Sequence, residues 1–528
     1  MPNKVNLDAM IRREDFLVKE DSNTDRPKTS MIKIVDLIEG AGWYSVLRKP
    51  LFQRITDEWD PKRICDFIVS FVDGDFIPPL IMWPSEGGFN FVIDGSHRLG
   101  SLIAWTHDDY GDKTISQDFY GMEITQDQLK EGERTRQLIK RTIGSYEELQ
   151  QINQTNDSGD ATKLRRARRL QSAQLDILNV IGPAEKAESS FIKINDSAAK
   201  INNTERDLIK TRDNPNSIAA RAIIRAGTGH KYWSSFETPK KEVIEKLAKQ
   251  IYDALFRPPY ESPVYTTDLP FAGKAFSGQS LSLVRDIVNI INKIPNTEKR
   301  KRGNGKSTLP TEGFAANATL KYLQECLRVL QLINDRKNGQ SLGIHPTFYV
   351  YTADGRLKPA SVYAVVNWVI EMEQKGLFGE FIKVRQRFED ALEQYDYLVQ
   401  QIVRSYRSAY RSYPFVTDFY LKLMKELADE TDIAVAVEKA VRAMDIGLSM
   451  KQPEKQGKST KKKYDRNTKS EIFLDAAKKN VIECAYCHGR LHRNAITIDH
   501  DTRIRDGGLA TADNGQPMHP YCNTLAKN

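Results

Sequence analysis

Cysteine is scarce in this sequence, and long apolar runs are absent from it. Five cysteines among 528 residues argue against a disulfide scaffold, because such scaffolds are dense in cysteine. No apolar run approaches the roughly 20 residues that a membrane-spanning helix needs, and the N-terminus lacks a signal-peptide core. These absences predict a cytoplasmic protein without a membrane partner. The length exceeds one ordinary core and predicts several domains.

The excess of positive charge is concentrated in one short segment. The net charge is +8, and residues 451–470 carry eight Lys or Arg against two acidic residues. This composition is typical of a solvated linker. A basic linker also adds affinity for phosphate without reading a base sequence, so the two interpretations are compatible.

The placement of the cysteines indicates a metal site near the C-terminus. Cys65 and Cys326 lie in apolar helical patterns and are predicted to be ordinary buried thiols. The other three cysteines share the last 45 residues with four of the eight histidines. Such clustering is what a bound metal ion would require.

Two pairs of potential ligands, each with two intervening residues, predict a structural zinc. CAYC supplies Cys484 and Cys487, and HPYC supplies His519 and Cys522. Four such ligands on two tight turns suit tetrahedral Zn²⁺ and leave no open position for a substrate. His488 and His492 are alternatives to His519 as the fourth ligand.

An Asp-His pair lies between these two ligand pairs. Ile496 and Ile498 alternate with polar residues, which places Asp499 and His500 at the end of a short strand. Asp499 is a hard oxygen ligand for Mg²⁺ or Mn²⁺, and His500 can accept a proton from an attacking water. An isolated pair of this kind is more often a surface turn. The surrounding sequence pattern therefore decides between a surface turn and a catalytic pair.

That surrounding pattern resembles the HNH (ββα-metal) endonuclease family over residues 480–528. The shared elements are the CxxC knuckle, the DH strand, a Gly-Gly turn, an Asp-Asn and a closing Cys-Asn. The resemblance implies that His500 is the general base, that Asp499 and Asn523 hold the catalytic Mg²⁺ or Mn²⁺, and that Asn514 braces the loop orienting His500. His519 replaces a common cysteine, and the stretched ending gives Lys527 no role.

A second candidate site lies on a strand-to-helix turn near the N-terminus. Asp60-Pro61 begins a predicted helix that Gly74 ends. The segment FNFVIDG then predicts a strand with one buried face, and a helix follows from Ser96. Free N–H groups at this turn, with Gly95 and Arg98, indicate either an anion site or an ordinary capped turn.

The same region resembles ParB-like nucleotide-binding domains with a DGQQR or DGQHR signature. The resemblance rests on VIDGSHRLG, on Phe52-Gln53-Arg54 before Trp59, and on INQTNDSGDATKLRRARR. It implies binding of a nucleoside triphosphate (GTP, ATP or CTP), and possible hydrolysis, by six residues: Gln53, Arg54, Asp94, Gly95, His97 and Arg98. Ser96 departs from the signature glutamine, which favours binding over hydrolysis. The arginines at 165–166 and 168–169 line either a DNA channel or a solvated helix face.

The middle of the chain shows helical periodicity and no fixed repeat. Apolar series at helical spacing recur at 279–293, 315–334, 360–374, 378–411 and 434–449. Gly305-Lys306-Ser307 is not a P-loop, because position 300 is arginine where that motif needs glycine. A long helical domain is therefore expected.

Together these patterns predict an α+β multidomain protein. Its expected parts are a mixed α/β ParB-like domain (1–140), a helical domain (141–450), the basic linker (451–470) and a zinc-containing HNH module (471–528). The predicted function is metal-dependent hydrolysis of DNA, modified or phage DNA included, in anti-phage defence or restriction, gated by a nucleotide. Two alternatives are a DNA-binding regulator with a non-catalytic HNH fold and an RNA-cleaving toxin. A homo-oligomer is also compatible with the sequence.

Overall fold

A computed structural model describes most of the chain, which forms two compact units. The first unit spans Met1–Arg212 with Thr228–Lys231, and the second spans Asp213–Gly227 with Tyr232–Asn528. The residues left undescribed are 1–3, 15–28, 51–52, 54–55, 121–123, 125, 157–158, 184–185, 188–189, 191–193, 195–210, 212–213, 228–232, 234–235, 276–279, 296–311, 445, 453–463 and 527–528. Arg54, the Gly305-Lys306-Ser307 stretch and most of the basic linker therefore lie outside the description. The four-part division drawn from the sequence stays a prediction.

The first unit is built on a mixed six-stranded sheet. Its strands are β1 (Arg13–Glu14), β2 (Met31–Lys33), β3 (Leu47–Pro50), β4 (Leu80–Pro84), β5 (Asn90–Asp94) and β6 (Gln174–Asn179). The spatial order is β1-β3-β5-β4-β6-β2. The β4–β5 and β2–β6 pairs are antiparallel, and the other pairs are parallel.

Seven helices accompany this sheet among the described residues. They are α1 (Gly42–Val46), α2 (Pro61–Asp73), α3 (Ser96–Thr106), α4 (Thr114–Tyr120), α5 (Gln126–Thr142), α6 (Tyr146–Thr155) and α7 (Ala161–Leu170). Helix α2 begins and ends as its sequence predicts. The Asp60 carboxylate accepts from the Arg63 N–H, and Gly74 closes the helix with φ of 74°.

The central strand β5 is buried on both faces, so the prediction of one buried face was wrong. Phe91 and Ile93 pack in a cluster with Trp83. Val92 points to the opposite face and is just as inaccessible. Alternation in a sequence marks an exposed face only when the intervening residues are polar, and Val92 is not.

The second unit is predominantly helical, as predicted. Its helices are α8 (Pro215–Ile224), α9 (Thr238–Phe256), α10 (Ser280–Ile291), α11 (Glu312–Asn334), α12 (Pro346–Tyr349), α13 (Pro359–Lys375), α14 (Phe378–Gln394), α15 (Asp396–Tyr406), α16 (Ala409–Asp429), α17 (Ile433–Arg442) and α18 (Arg466–Ala477). The periodic segment 378–411 is not one helix, because the backbone leaves helical geometry at Tyr395. None of the described helices is both long and apolar enough to cross a membrane.

A small hairpin completes the second unit. Strand β7 (Thr497–His500) pairs antiparallel with β8 (Gly515–Met518), and a π-helical turn, Cys522–Ala526, follows. The cysteine-rich knuckle and the turn after β8 pack into the same apolar core as the long helices. The mixed α/β and mostly helical architecture expected from the sequence is thereby confirmed.

Candidate functional site

The four predicted zinc ligands converge at one buried point. One ligand atom each from Cys484, Cys487, His519 and Cys522 lies within 4.8 Å of the others. All four side chains are buried, and hydrogen bonds from the neighbouring thiols lower the pKa of Cys484. Three sulfur atoms and one imidazole at this separation fit tetrahedral Zn²⁺.

The His519 ring is oriented for coordination through its Nδ1 atom. Nδ1 lies 3.4 Å from the Cys487 Sγ, and Nε2 lies 3.1 Å from the Arg490 carbonyl oxygen. A carbonyl only accepts hydrogen bonds, so Nε2 carries the proton and Nδ1 presents its lone pair to the cysteines. The two alternative ligands, His488 and His492, are not part of this cluster.

His492 instead joins the knuckle to the helical core. Its Nδ1 lies 2.8 Å from the Asn334 Nδ2, and the ring of His345 lies 5.1 Å away, centroid to centroid. Burial lowers the pKa of His492 to about 4 and holds that of His345 well below its ordinary value. Both rings are therefore neutral in the folded protein at pH 7.

A buried ion pair holds the knuckle against helix α14. Arg385 and Glu389 are fully buried, with 2.8 Å between Nε and Oε1. Arg385 also donates to the Leu342 and Gly343 carbonyls. The Glu389 carboxylate accepts from the Arg490 N–H at 2.8 Å. The metal cluster and the helical core therefore share one hydrogen-bond network.

Further backbone contacts make the C-terminal module continuous with the helices. The Arg336 N–H donates to the Asn494 carbonyl at 2.7 Å, and the Asn494 side chain donates to the Arg257 carbonyl at 3.0 Å. The Tyr521 N–H donates to the Ser341 carbonyl. The sequence shows none of these contacts in advance, because each joins residues far apart in the chain.

The hairpin places Asp499 and Asn523 on one side. Thr497 and Asp499 share a face of β7, because side chains alternate along a strand. The Asn523 Nδ2 donates to the Thr497 Oγ1 at 3.2 Å, and that hydroxyl donates to the Met518 carbonyl. The two residues predicted to hold the catalytic metal thus lie beside the same strand face, and His500 is the last residue of that strand.

Asn514 closes the loop that follows His500. Its Oδ1 accepts from the Thr502 N–H at 2.7 Å, and its Nδ2 donates to the Thr502 and Leu509 carbonyls. The Gly-Gly turn is sterically required: Gly507 has φ of 90°, and a Cβ at Gly508 would meet the Thr502 oxygen at 1.8 Å. Asn514 therefore ties Thr502 to Leu509 within this loop, and its role in orienting His500 stays a prediction.

The N-terminal turn is held by contacts within the protein. Arg98 pairs with Asp94 at 2.8 Å and donates to the Pro78 and Pro79 carbonyls. Burial lowers the Arg98 pKa, and the Asp94 charge opposes that shift. A Cβ at Gly95, where φ is 106°, would lie 2.4 Å from a Leu80 methyl group. A phosphate would therefore compete with Asp94 for the guanidinium.

His97 is the second residue of α3, directly after this turn, and Gln53 follows β3 in the chain. The His97 ring stacks on Trp59 with centroids 5.6 Å apart, and its Nε2 accepts from the Glu58 N–H at 3.3 Å. Gln53 is buried, and its Oε1 has no hydrogen-bond partner in the described part of the chain.

Sequence reasoning missed the acidic groups of this region. Asp8 is buried between Arg13 and Lys49, at 2.7 and 2.6 Å, which hold its pKa far below the ordinary value despite burial. Burial and the Asp8 charge raise the pKa of Asp57 to about 6. No sequence signal marks either residue, because both effects come from tertiary neighbours.

The arginine-rich helix α7 is partly a structural element. Arg166 forms two hydrogen bonds to the Asp73 carboxylate, at 2.8 and 2.7 Å. Arg168 donates to the Asn156 side chain. These two arginines hold α7 in place, and Arg165 remains largely exposed.

Comparisons with known proteins find a similarity to one family model at each end of the chain. The pattern described as "GmrSD restriction endonuclease, N-terminal domain" matches residues 34–212. The pattern described as "HNH endonuclease" matches residues 484–528, which confirms the resemblance found in the motif. Neither a curated protein nor a solved structure matches the chain. The two family matches support a DNA endonuclease of restriction or defence type.

Proposed function

We propose that this protein is a metal-dependent DNA endonuclease that uses the β7–β8 hairpin. The observation that carries the proposal is the buried three-cysteine, one-histidine cluster beneath this hairpin, within the segment that matches HNH endonucleases. The cluster would bind a structural zinc and fix the two strand ends, so Asp499 and His500 project from a rigid base.

The proposed reaction is hydrolysis of a DNA phosphodiester. His500 accepts a proton from a water molecule, whose oxygen forms a bond to phosphorus while the bond to the departing sugar oxygen breaks. Asp499 and Asn523 would hold Mg²⁺ or Mn²⁺, which would neutralise charge on the phosphate and the leaving oxygen. Asn514 keeps the loop after His500 in one conformation through its three hydrogen bonds.

The test uses supercoiled plasmid, modified and unmodified, with Mg²⁺ or Mn²⁺. We expect the wild-type full chain to relax or linearise the plasmid and His500→Ala to lose at least about 100-fold in rate, as for loss of a general base. His488→Ala is the matched control, because this exposed histidine lies in the knuckle outside the ligand cluster. Equal rates for wild type and His500→Ala would contradict the assignment.

Two other functions predict different outcomes in the same assay. A DNA-binding regulator with a non-catalytic HNH fold would shift DNA mobility without metal and without breakage. An RNA-cleaving toxin would cut single-stranded RNA and leave the plasmid intact. The similarity to a restriction-endonuclease domain and to HNH endonucleases favours DNA cleavage over both.

We also propose, as a second activity, that the N-terminal unit binds a nucleoside triphosphate in the manner of ParB-like domains and gates cleavage. The supporting observation is the buried Gln53 Oε1, which has no hydrogen-bond partner among the residues that the structure describes. Titration of GTP, ATP and CTP into the full chain should give saturable binding that Arg98→Ala weakens. Unchanged binding in Arg98→Ala would remove the basis for the gate. Parallel light scattering would report any homo-oligomer.

A further inference from the structure

Two large aliphatic side chains project from the loop after His500. Ile504 is 71% exposed and Leu509 is 72% exposed. Among the large hydrophobic residues in the described ranges, Phe76 alone is more exposed. Neither side chain is therefore present to fill the hydrophobic core.

This exposure belongs to an ordered loop. The loop is closed at its base by the Asp501 N–H donating to the Asn514 carbonyl at 2.9 Å. Inside it, the Gly508 N–H donates to the Arg503 carbonyl, and the Leu509 carbonyl accepts from the Asn514 side chain. These bonds close the loop from which the two aliphatic side chains project.

The charged residues next to Ile504 in the chain indicate which kind of partner it would contact. Arg503 and Arg505 lie on either side of it in the chain, and the Arg505 side chain is 71% exposed. Its nearest acidic partner is Asp506 at 3.9 Å, which is a weak surface contact. An aliphatic residue between two arginines suits an apolar stack of bases bordered by phosphates, whereas a protein core would exclude the arginines.

The position of the loop adds to this argument. It begins directly after His500 and returns to the strand opposite it, because His500 pairs with Gly515 across the hairpin. Ile498, two residues before His500, is also 66% exposed. A duplex with a phosphate at His500 would therefore lie within reach of this loop.

We propose that Ile504 and Leu509 form an apolar wedge that enters duplex DNA beside the phosphate to be cut. The wedge unstacks one base step, and Arg503 and Arg505 contact the flanking phosphates. This inference rests on the proposed DNA endonuclease function and identifies how the duplex is opened and positioned. Ile504 and Leu509 are positioning residues, since neither carries a group for proton transfer or metal binding.

The first experiment measures unstacking without cleavage. The probe is a set of duplexes with 2-aminopurine at successive positions, mixed with the full chain in Ca²⁺ buffer. We expect one position to brighten with the wild type and to lose most of that signal with Ile504→Ala or Leu509→Ala. Ile472→Ala is the control, because Ile472 is exposed at 53% on α18, outside the loop. An unchanged signal in both loop variants would overturn the wedge.

The second experiment separates a wedge from a general binding surface. Ile504→Ala should cut a perfect duplex about 10-fold more slowly than the wild type. It should cut a duplex with a mismatch at the brightening position at a nearly wild-type rate, because that step is already unstacked. Equal slowing on both substrates would contradict the proposal.

The two proposals fail in different ways. If the wild type cuts DNA and Ile504→Ala cuts the perfect and the mismatched duplex as fast as the wild type does, the wedge proposal fails and the endonuclease proposal stands. If the wild type never cuts but brightens 2-aminopurine in an Ile504-dependent manner, the endonuclease fails and the wedge stands.

Discussion

The two candidate sites both follow a β-strand, yet their charged groups are held in different ways. At the end of β5, Asp94 and Arg98 bind each other, and the Arg98 Nη1 also donates to two backbone carbonyls. At the end of β7, Asp499 and His500 stay half-exposed, while rigidity comes from the buried cluster and from Asn514.

The two sites differ in whether the residues that stabilise the site are also the residues proposed to bind or react with a ligand. In the N-terminal turn, the residues that resemble a signature also hold the turn together, so any ligand must compete with internal contacts. Near the hairpin, the knuckle is held by buried residues such as Arg385 and Glu389, which are not proposed to act on DNA. The groups proposed to act on DNA, Asp499 and His500, are half-exposed on the hairpin.

The largest effect should come from removing a zinc ligand. Cys484→Ser leaves three ligands, and structural zinc contributes about 10–16 kcal/mol in small zinc modules. We expect the variant to lack zinc by metal analysis and to expose the helical core to protease, because the knuckle and the helices share one network. His488→Ala should retain one zinc per chain. A stable helical core in zinc-free Cys484→Ser would show that the two parts are independent.

The next effect should come from the buried ion pair. Glu389→Gln leaves Arg385 buried without a counter-charge, which costs about 3–5 kcal/mol. The urea midpoint of the transition that releases zinc should fall accordingly. Glu438→Gln, which breaks the exposed pair with Arg442, should change the free energy of unfolding by less than about 1 kcal/mol and leave that midpoint nearly unchanged. Similar effects from the two variants would argue against a shared network.

Acid should weaken the second unit through its buried histidines. The pKa values of His345 and His492 are lowered in the folded state, so below about 6.5 the unfolded chain binds protons that the folded chain does not. The free energy of unfolding is therefore unaffected by these histidines above pH 6.5. It falls progressively as the pH is lowered, down to about pH 4 for His492. His345→Leu should therefore lose less stability between pH 7 and pH 5 than the wild type, by about 1–2 kcal/mol. An identical loss, measured by urea denaturation, would exclude His345 as a contributor.

The smallest effect should come from the N-terminal ion pair. Asp94→Asn removes a partly exposed charge from Arg98, and such pairs contribute about 1 kcal/mol or less. We expect a small shift of the thermal transition of the first unit and no change in zinc release. If Asp94→Asn destabilised the protein as strongly as Glu389→Gln, the contrast between the two sites would be wrong.

The sequence predicted most local features and few long-range ones. The zinc ligands, the limits of α2 and the β7 strand each follow from residues close together in the chain, where spacing and caps carry the signal. The burial of both faces of β5 depends on distant segments, and Val92 gave the only local sign of it. The Arg385–Glu389–Arg490 network joins segments about 100 residues apart, and periodicity contains no information on such pairs.

The most direct test is chemical rescue of His500→Gly by imidazole, with supercoiled plasmid and Mg²⁺ or Mn²⁺. If His500 is the base, His500→Gly should lose cleavage, and added imidazole should restore part of the rate with a pH dependence that follows the neutral imidazole fraction. His488→Gly should cut normally and ignore imidazole. Full cleavage by His500→Gly without imidazole would show that the proton is taken by another group, and the proposed role of the hairpin would be wrong.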